Sequence, residues 1–219
     1  MRNLVIFGTG GHAAVVRDCI DPACFRAIGY IDDLAEKGTK IDGLPVLGGV
    51  ADLPAILAEH PLLASVIGIG ANHVRRMIAQ KAERLCPSLK WARIIHPSAI
   101  ISPRALIGAG TVIVAGAVVN TRTQIGQHVI INTGSNIDHD NMFADYSSTG
   151  PGVSTGGTVG LGTCSHIGIG ASVRHGVSIG DYSVIGGQSF VNRDIGDHKV
   201  AYGIPVREVG ERSANAAYL

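Results

Sequence analysis

Aromatic residues are scarce in this chain: 5% of 219 positions, with a single tryptophan. A core of stacked large rings is therefore excluded, and small aliphatic side chains must do the packing. Charge is scarce too, at 16% of residues with a formal net charge of +1. That leaves no basic footprint for nucleic acid and no polybasic patch for a membrane surface. The four cysteines, Cys19, Cys24, Cys86 and Cys164, form neither a CxxC pair nor a zinc spacing, which reads as free buried thiols in a reducing cytoplasm. No apolar run reaches 18 residues, so no membrane span is expected. The start, MRNLVIFGTGGH, leads into a strand rather than a signal peptide.

What the chain does have is a strict period of six. Sampled every sixth residue from Ile95 to Val191, it shows Ile, Val, Leu or Phe at 15 of 17 positions, where a hydrophobic content of 46% would give about 8. Only Thr149 and Thr155 depart. A second series four residues later is small, from Ala99 to Ser189, interrupted by Asn141. Neither a helix nor a simple strand has this period; one short strand plus one turn does. Three such units close a triangular coil of 18 residues, with the large aliphatic inward and the small residue near the corner. Glycines after the aliphatic (Gly108, Gly126, Gly150, Gly168) mark turns that need positive φ or close backbone approach. Coils stack at about 4.8 Å, so each satisfies the backbone of the next.

The first ninety residues differ. Strands are expected at Leu4–Phe7, Ala27–Ile31 and Ser65–Ile69, an extended segment at 44–49, and helices at Ala13–Arg17, Asp52–Glu59 and Val74–Leu85. Strand–helix alternation with glycine-rich turns predicts a small parallel sheet of Rossmann type. Gly8-x-Gly10-x-x-Ala13 matches a dinucleotide fingerprint and Asp32 lies 22 residues beyond Gly10. The domain is half the usual length and its acidic position is a doublet, Asp32-Asp33, which disfavours phosphate nearby. A mononucleotide-type pocket follows, with the helix N-terminus after Gly11 facing a polar or anionic group. The expected organisation is a nucleotide-binding domain at 1–90, a β-helix at 91–200 and a tail at 201–219.

Among nine histidines, His139 stands apart. It falls two residues after the inward Ile137 and is flanked by Asp138 and Asp140. A carboxylate beside an imidazole raises its basicity and fixes its tautomer, as a general base requires. His60, His73 and His198 read as solvated, His96 as a structural hydrogen-bonding group at the helix entry, and His128, His166 and His175 as coil-edge residues.

The coil resembles the hexapeptide-repeat acyltransferases, whose repeats form left-handed parallel β-helices. With the Gly10-Gly11-His12 turn, Tyr30-Ile31-Asp32-Asp33, Gly68-Ile69-Gly70, Ile95-His96-Pro97-Ser98-Ala99 and the stretch from Asn132 to Asp140, the whole chain resembles sugar acetyltransferases of the sialic acid O-acetyltransferase and UDP-bacillosamine N-acetyltransferase type. The resemblance implies an α/β Rossmann-like domain followed by a left-handed β-helix, and acetyl-CoA as co-substrate. It implies His139 as catalytic base and Asp140 as the acid that strengthens it. Gly10, Gly11, His12, Asp32, Asp33 and Gly70 would hold a nucleotide-linked amino sugar. Ser148, Gly157, Ile169 and Gly187 would line the acetyl-CoA groove, Gly157 offering its amide to the thioester. Relatives often carry histidine or asparagine at the Ser148 position. Arg207, in Gly203-Ile204-Pro205-Val206-Arg207, would meet coenzyme A phosphates.

The expected activity is N-acetylation of a nucleotide-linked 4-amino-4,6-dideoxy sugar, UDP-linked, in surface glycan synthesis in the cytoplasm. O-acetylation of sialic acid or another sugar hydroxyl is the alternative, and a non-catalytic sugar-nucleotide binding protein a third reading. Relatives of this type are homotrimers with sites between subunits. No metal is expected: gamma-class carbonic anhydrases, also hexapeptide helices, need a histidine five residues beyond the position of His175, and Gly180 stands there.

Overall fold

The computed structural model describes residues 1–217. Its first part alternates β1 (Arg2–Phe7), α1 (Gly11–Asp18), β2 (Phe25–Ile31), β3 (Lys40–Ile41), β4 (Leu44–Gly48), α2 (Leu53–Glu59), β5 (Ala64–Ile67), α3 (Asn72–Leu85) and β6 (Lys90–Trp91). The sheet order is β3-β4-β2-β1-β5-β6, parallel throughout except for the β3–β4 hairpin. In the central strand Leu4, Val5 and Ile6 are all fully buried. Such a continuous apolar run is what helices on both faces demand. One apolar cluster joins Leu4 and Ile6 to α1; the other joins Val5 and Phe7 to α2 and α3. The β3–β4 hairpin and β6 were not anticipated, and β6 carries the sheet one residue beyond position 90.

From Ile94 onward the chain is a triangular prism of two-residue strands on three faces. Face one runs through Ile94–Ile95, Val112–Ile113, Ile130–Ile131, Ser148–Thr149, His166–Ile167 and Val184–Ile185. Face two begins at Ile100–Ile101 and face three at Leu106–Ile107. Each strand pairs in parallel with the strand 18 residues later, Val112 with Ile130 and Ile113 with Ile131. The second residue of each strand points inward, so Ile113, Ile131, Ile167 and Ile185 share a core with Ile137, Phe143 and Leu161. The two inward threonines are buried but satisfied: Thr149 Oγ1 accepts from Asn132 N (3.0 Å) and Thr155 Oγ1 from Asp138 N (3.2 Å).

The glycine after each aliphatic serves close approach, not positive φ. A Cβ on Gly108 would stand 2.3 Å from the Gly126 carbonyl oxygen. Positive φ falls two residues further on, at Arg122, His128, Asp140 and Tyr146 among others. Past 200 the chain keeps its regular structure: Lys199–Tyr202 joins face one and pairs antiparallel with Arg207–Glu211. Cys19, Cys86 and Cys164 are buried and unpaired; Cys24 is exposed.

The two parts meet on face one. There the outward residues Val112, Ile130, Ser148 and His166 are buried, whereas Ile100 on face two and Leu106 on face three are about two-thirds exposed. Arg75 of α3, 1% exposed, locks the junction. It donates to the carbonyls of His128 (2.7 Å), Tyr146 (2.9 Å), Ile69 (3.0 Å) and Gly70 (2.9 Å), and to Asn72 Oδ1 (2.6 Å). Asn72 Nδ2 in turn donates to the carbonyls of Cys164 (3.2 Å) and Ser165 (3.1 Å). A buried guanidinium is tolerable only when its donors are this fully used. Arg75→Ala strips a donor from the buried carbonyls of His128 and Ser147 and from the part-buried ones of Ile69, Gly70 and Tyr146, together costing on the order of 3 kcal/mol. Calorimetry should show the melting midpoint fall by roughly 6–12 °C; an unchanged midpoint would mean the junction does not depend on this side chain.

Candidate functional site

His139 sits on the corner between faces two and three, in the turn after Asn136–Ile137. Asp140, in left-handed backbone at φ 58°, turns its carboxylate back so that Oδ2 lies 2.6 Å from His139 Nδ1. Arg122, one coil below, grips the same carboxylate with two donors, Nε to Oδ1 (2.6 Å) and Nη2 to Oδ2 (2.7 Å). The guanidinium first, and His139 second, hold the Asp140 carboxyl far below the usual carboxylate range. An ionised carboxylate only accepts, so the hydrogen of this contact belongs to Nδ1; in the neutral ring the lone pair is then the one on Nε2.

The turn is braced from within. Asn141, 1% exposed, donates to the carbonyls of Asp138 (2.9 Å), His139 (3.1 Å) and Gly156 (2.9 Å). The interruption of the small-residue series is thus a bracket for the histidine turn. Gly157, one coil above, lies against the imidazole; a Cβ there would be 2.4 Å from His139 Cε1. Its carbonyl accepts from Gly176 (3.0 Å), while its N–H meets no partner among the described residues.

A separate cavity of about 300 Å³ opens at the corner between faces one and two. His12 and Gly70 line it from the N-terminal domain; Ser148, His166, Ile169 and Gly187 line it from the prism. His12 and Gly70, expected to hold the nucleotide sugar, thus share one cavity with Ser148, Ile169 and Gly187, expected to line the acetyl-CoA groove, while Gly10, Gly11, Asp32 and Asp33 do not line it. Gly157 and His139 are outside it, and so is Arg207, exposed on the last hairpin. Ser148 Oγ and His166 Nδ1 are 2.8 Å apart, stacked one coil over the other.

Beside the cavity the glycine turn is open: a Cβ at Gly10 or Gly11 would touch nothing. Both aspartates are already engaged. Asp32 accepts from Thr9 Oγ1 (2.7 Å) and Leu34 N (2.8 Å); Asp33 accepts from Val50 N (2.7 Å) and Lys81 Nζ (2.8 Å). The Lys81 ammonium pulls the Asp33 carboxyl below its ordinary value. Asp33 thus pins the strand end to α3 and the α2 entry.

Two histidines read as coil-edge residues are not exposed. His166 is 8% and His128 0% exposed, because the N-terminal domain covers face one and its margin. His128 stacks on Tyr146 (5.1 Å between centroids) and meets Trp91 edge-on (4.7 Å). His73 also departs from a solvated state, with Nδ1 buried and unpartnered. His96 Nδ1 accepts from Ser98 N (3.0 Å), the structural bond its position suggested. Among the described residues no group of three or more His, Cys, Asp or Glu side chains gathers as a metal would need, and no helix is long and apolar enough to cross a membrane.

Residues 3–82 match the family model of the PglD N-terminal domain. A UDP-N-acetylbacillosamine N-acetyltransferase of Bacillus subtilis (strain 168) is 38% identical over 117 residues, 51% of this chain and 50% of that protein, so the match spans about half of each. Perosamine N-acetyltransferase from Caulobacter crescentus has been solved as a histidine-to-asparagine variant in complex with CoA and GDP-perosamine. It superposes with a TM-score of 0.89 at 33% identity, covering 96% of this chain and 98% of that one. The acetyltransferase domain of PglB from Neisseria gonorrhoeae FA1090, in complex with acetyl coenzyme A, gives 0.86 at 29% identity, with 95% and 99% covered. The coil is the left-handed β-helix of these acetyltransferases, a hand that the six-residue period alone does not fix.

Burial, with Arg75 second, lowers His12, His128 and His166 to about 4, against 6.5 in a free chain. The folded state therefore holds these rings neutral while the unfolded chain binds protons from about pH 6.5 downward. Their contribution is complete above pH 6.5 and is lost as pH falls toward 4. Urea midpoints should drop across that window, and His128→Phe, which keeps a ring in the stack, should flatten the drop. An equal pH slope in both proteins would contradict it.

Proposed function

The chain belongs to the PglD-like family of sugar acetyltransferases, and from that membership we propose an acetyl-CoA-dependent N-acetyltransferase acting on the amino group of a nucleotide-linked 4-amino-4,6-dideoxy sugar. We take the sugar as UDP-linked, the reaction as part of surface glycan synthesis and the location as cytoplasmic. One observation carries the reading: an imidazole whose Nδ1 is tied to a clamped carboxylate at 2.6 Å, leaving Nε2 open on a prism corner beside an unused amide.

The chemistry follows from that arrangement. The sugar amine attacks the thioester carbonyl while His139 Nε2 takes its proton, and Asp140 stabilises the imidazolium. The oxyanion that forms needs a donor, and we assign the N–H of Gly157, a residue packed against the ring whose amide has no partner among the described residues. Collapse expels the thiolate, which recovers the proton from His139 as CoA thiol. The products are the amide and the thiol, and the base is restored.

Within one chain, His139 and the cavity stand on different corners, separated by a six-residue face that spans at most about 20 Å. We infer that a second copy completes the site, with the His139 corner of one prism facing the cavity of the next in a homotrimer. Exposed Ile100, Leu106 and Met142 on faces two and three give such a contact apolar surface. Ser148, Ile169 and Gly187 then approach the pantetheine arm, Arg207 the phosphates, and Gly10 to His12, Asp32, Asp33 and Gly70 the nucleotide sugar.

UDP-, GDP- and dTDP-linked amino sugars and free sialic acid, each given with acetyl-CoA, should be separated by thiol release. Release with the UDP-amino sugar is expected; preference for the GDP sugar corrects the nucleotide, and release only with sialic acid replaces the reading by O-acetylation. His139→Ala should lose roughly 10²-fold or more in kcat, and unchanged turnover removes it as base. Refolding a mixture of His139→Ala and Gly187→Trp chains should restore activity that neither has alone. No restoration argues for a site within one chain.

A further inference from the structure

Arg122 lies 18 residues before Asp140, on the same corner and in the same left-handed backbone, φ 61° against 58°. Stacked one coil apart, the two side chains leave the prism together, which lets the guanidinium fork both carboxylate oxygens at 2.6 and 2.7 Å. Oδ2 is shared: it accepts from Arg122 Nη2 and from His139 Nδ1, the latter at 2.6 Å. Arg122 is 55% exposed at its side chain, so the pair contributes little to stability. The same left-handed turn position holds glycine, His128, Tyr146, Thr158 or Cys164 on other coils, so the fold does not call for an arginine there.

The charged neighbours of the imidazole are few. On its own turn stand Asp138 and Asp140; from the coil below comes Arg122; the coil above brings only Gly156, Gly157 and Thr158. Asp138 Oδ1 is turned to the His139 backbone N–H (2.8 Å) and Asn120 Nδ2 (3.2 Å) rather than to the ring. Asp140 alone would orient the imidazole and also draw a second proton onto it. A protonated imidazole cannot act as a base. The guanidinium offsets the carboxylate charge without removing its acceptor oxygen, so orientation is kept and the pull toward imidazolium is reduced.

We propose that Arg122 is a positioning residue for the reaction: it fixes Asp140 as a charge-compensated acceptor, so that His139 presents a free Nε2 lone pair to the amine at neutral pH. The proposal rests on the acetyltransferase reading above for its kinetic consequences, but not for the state of the ring.

The test compares wild type, Arg122→Gln, Arg122→Lys, Asp140→Asn and the Arg122→Gln/Asp140→Asn pair, using the full chain with acetyl-CoA and the amino-sugar nucleotide it accepts. At pH 7, Arg122→Gln should lose about tenfold in kcat with both KM values little changed. The loss should shrink to about threefold or less by pH 9, because added base strips the extra proton. Lysine restores the charge without the fork and should fall between. In the Asp140→Asn background the Arg122 change should cost nothing more, as for two residues acting through one contact. A loss that is the same at every pH, or that adds fully to Asp140→Asn, overturns the proposal. Ring ¹⁵N spectra of His139 give a readout without turnover: wild type should carry hydrogen on Nδ1 alone at pH 7, and Arg122→Gln should show both nitrogens protonated. Identical spectra overturn the proposal even where kinetics change. If wild type acetylates no sugar at all, the functional reading fails while the spectra still decide the role of Arg122; should Arg122→Gln melt early, Arg122→Lys carries the comparison.

Discussion

The register of the prism is the constraint on which the rest depends. Because each strand pairs with the one 18 residues on, every corner residue has a fixed neighbour above and below at about 4.8 Å. Side chains are thereby sorted into columns before any site is built. Arg122 beneath Asp140, Gly157 above the His139 ring and Ser148 beneath His166 are all consequences of that one spacing. A residue inserted within a strand would shift every column above it, so the period of six that packs the core also sets which corner side chains meet.

The turns bring a second constraint. Each corner needs one residue in left-handed backbone, and natural choices there are glycine or asparagine. This chain uses glycine at 116, 134, 152 and 170 on the corner beside the cavity, but Arg122, Asp140 and Thr158, then Gly176, on the corner that carries His139, and larger residues such as His128 and Tyr146 on the third. A non-glycine at this position is common in the prism; at Arg122 and Asp140 it brings a guanidinium and a carboxylate into contact. Asn141 then fixes the turn from inside with three hydrogen bonds, replacing the small residue that a purely structural corner would carry.

Much of this is legible in the sequence because it is local or periodic. The inward series from Ile113 to Val191, the strand–helix alternation before residue 90 and the Asp138-His139-Asp140 triplet all follow from spacing and residue type. What is not legible is where one part of the chain covers another. His166 precedes the inward Ile167 and would be exposed on a bare prism; it is buried only because the N-terminal domain lies on face one. Arg75 looks like any helix-face arginine until its carbonyl partners arrive from residues 128, 146 and 147, distant in sequence. Arg122 was hidden for the converse reason: the signal was the 18-residue offset to Asp140, but charge on a coil corner reads as a solvated face unless both columns are laid side by side.

The histidines show how burial divides labour in this fold. Enclosed at the domain junction or in the cavity, His12, His128 and His166 are lowered to about 4, which keeps them neutral as packing and hydrogen-bonding groups but makes them feeble bases at neutral pH. His139 stands half exposed on its corner, 49% at the side chain, outside that enclosure. Its ring is held from one side, by the carboxylate that Arg122 forks, and Nε2 has no partner among the described residues. In the proposed reading a partner subunit would close over that side, and the Arg122–Asp140 column would hold the ring in place as it did so. Enclosure is thus used where a ring serves as packing, and a clamped carboxylate where a ring is left open on a corner.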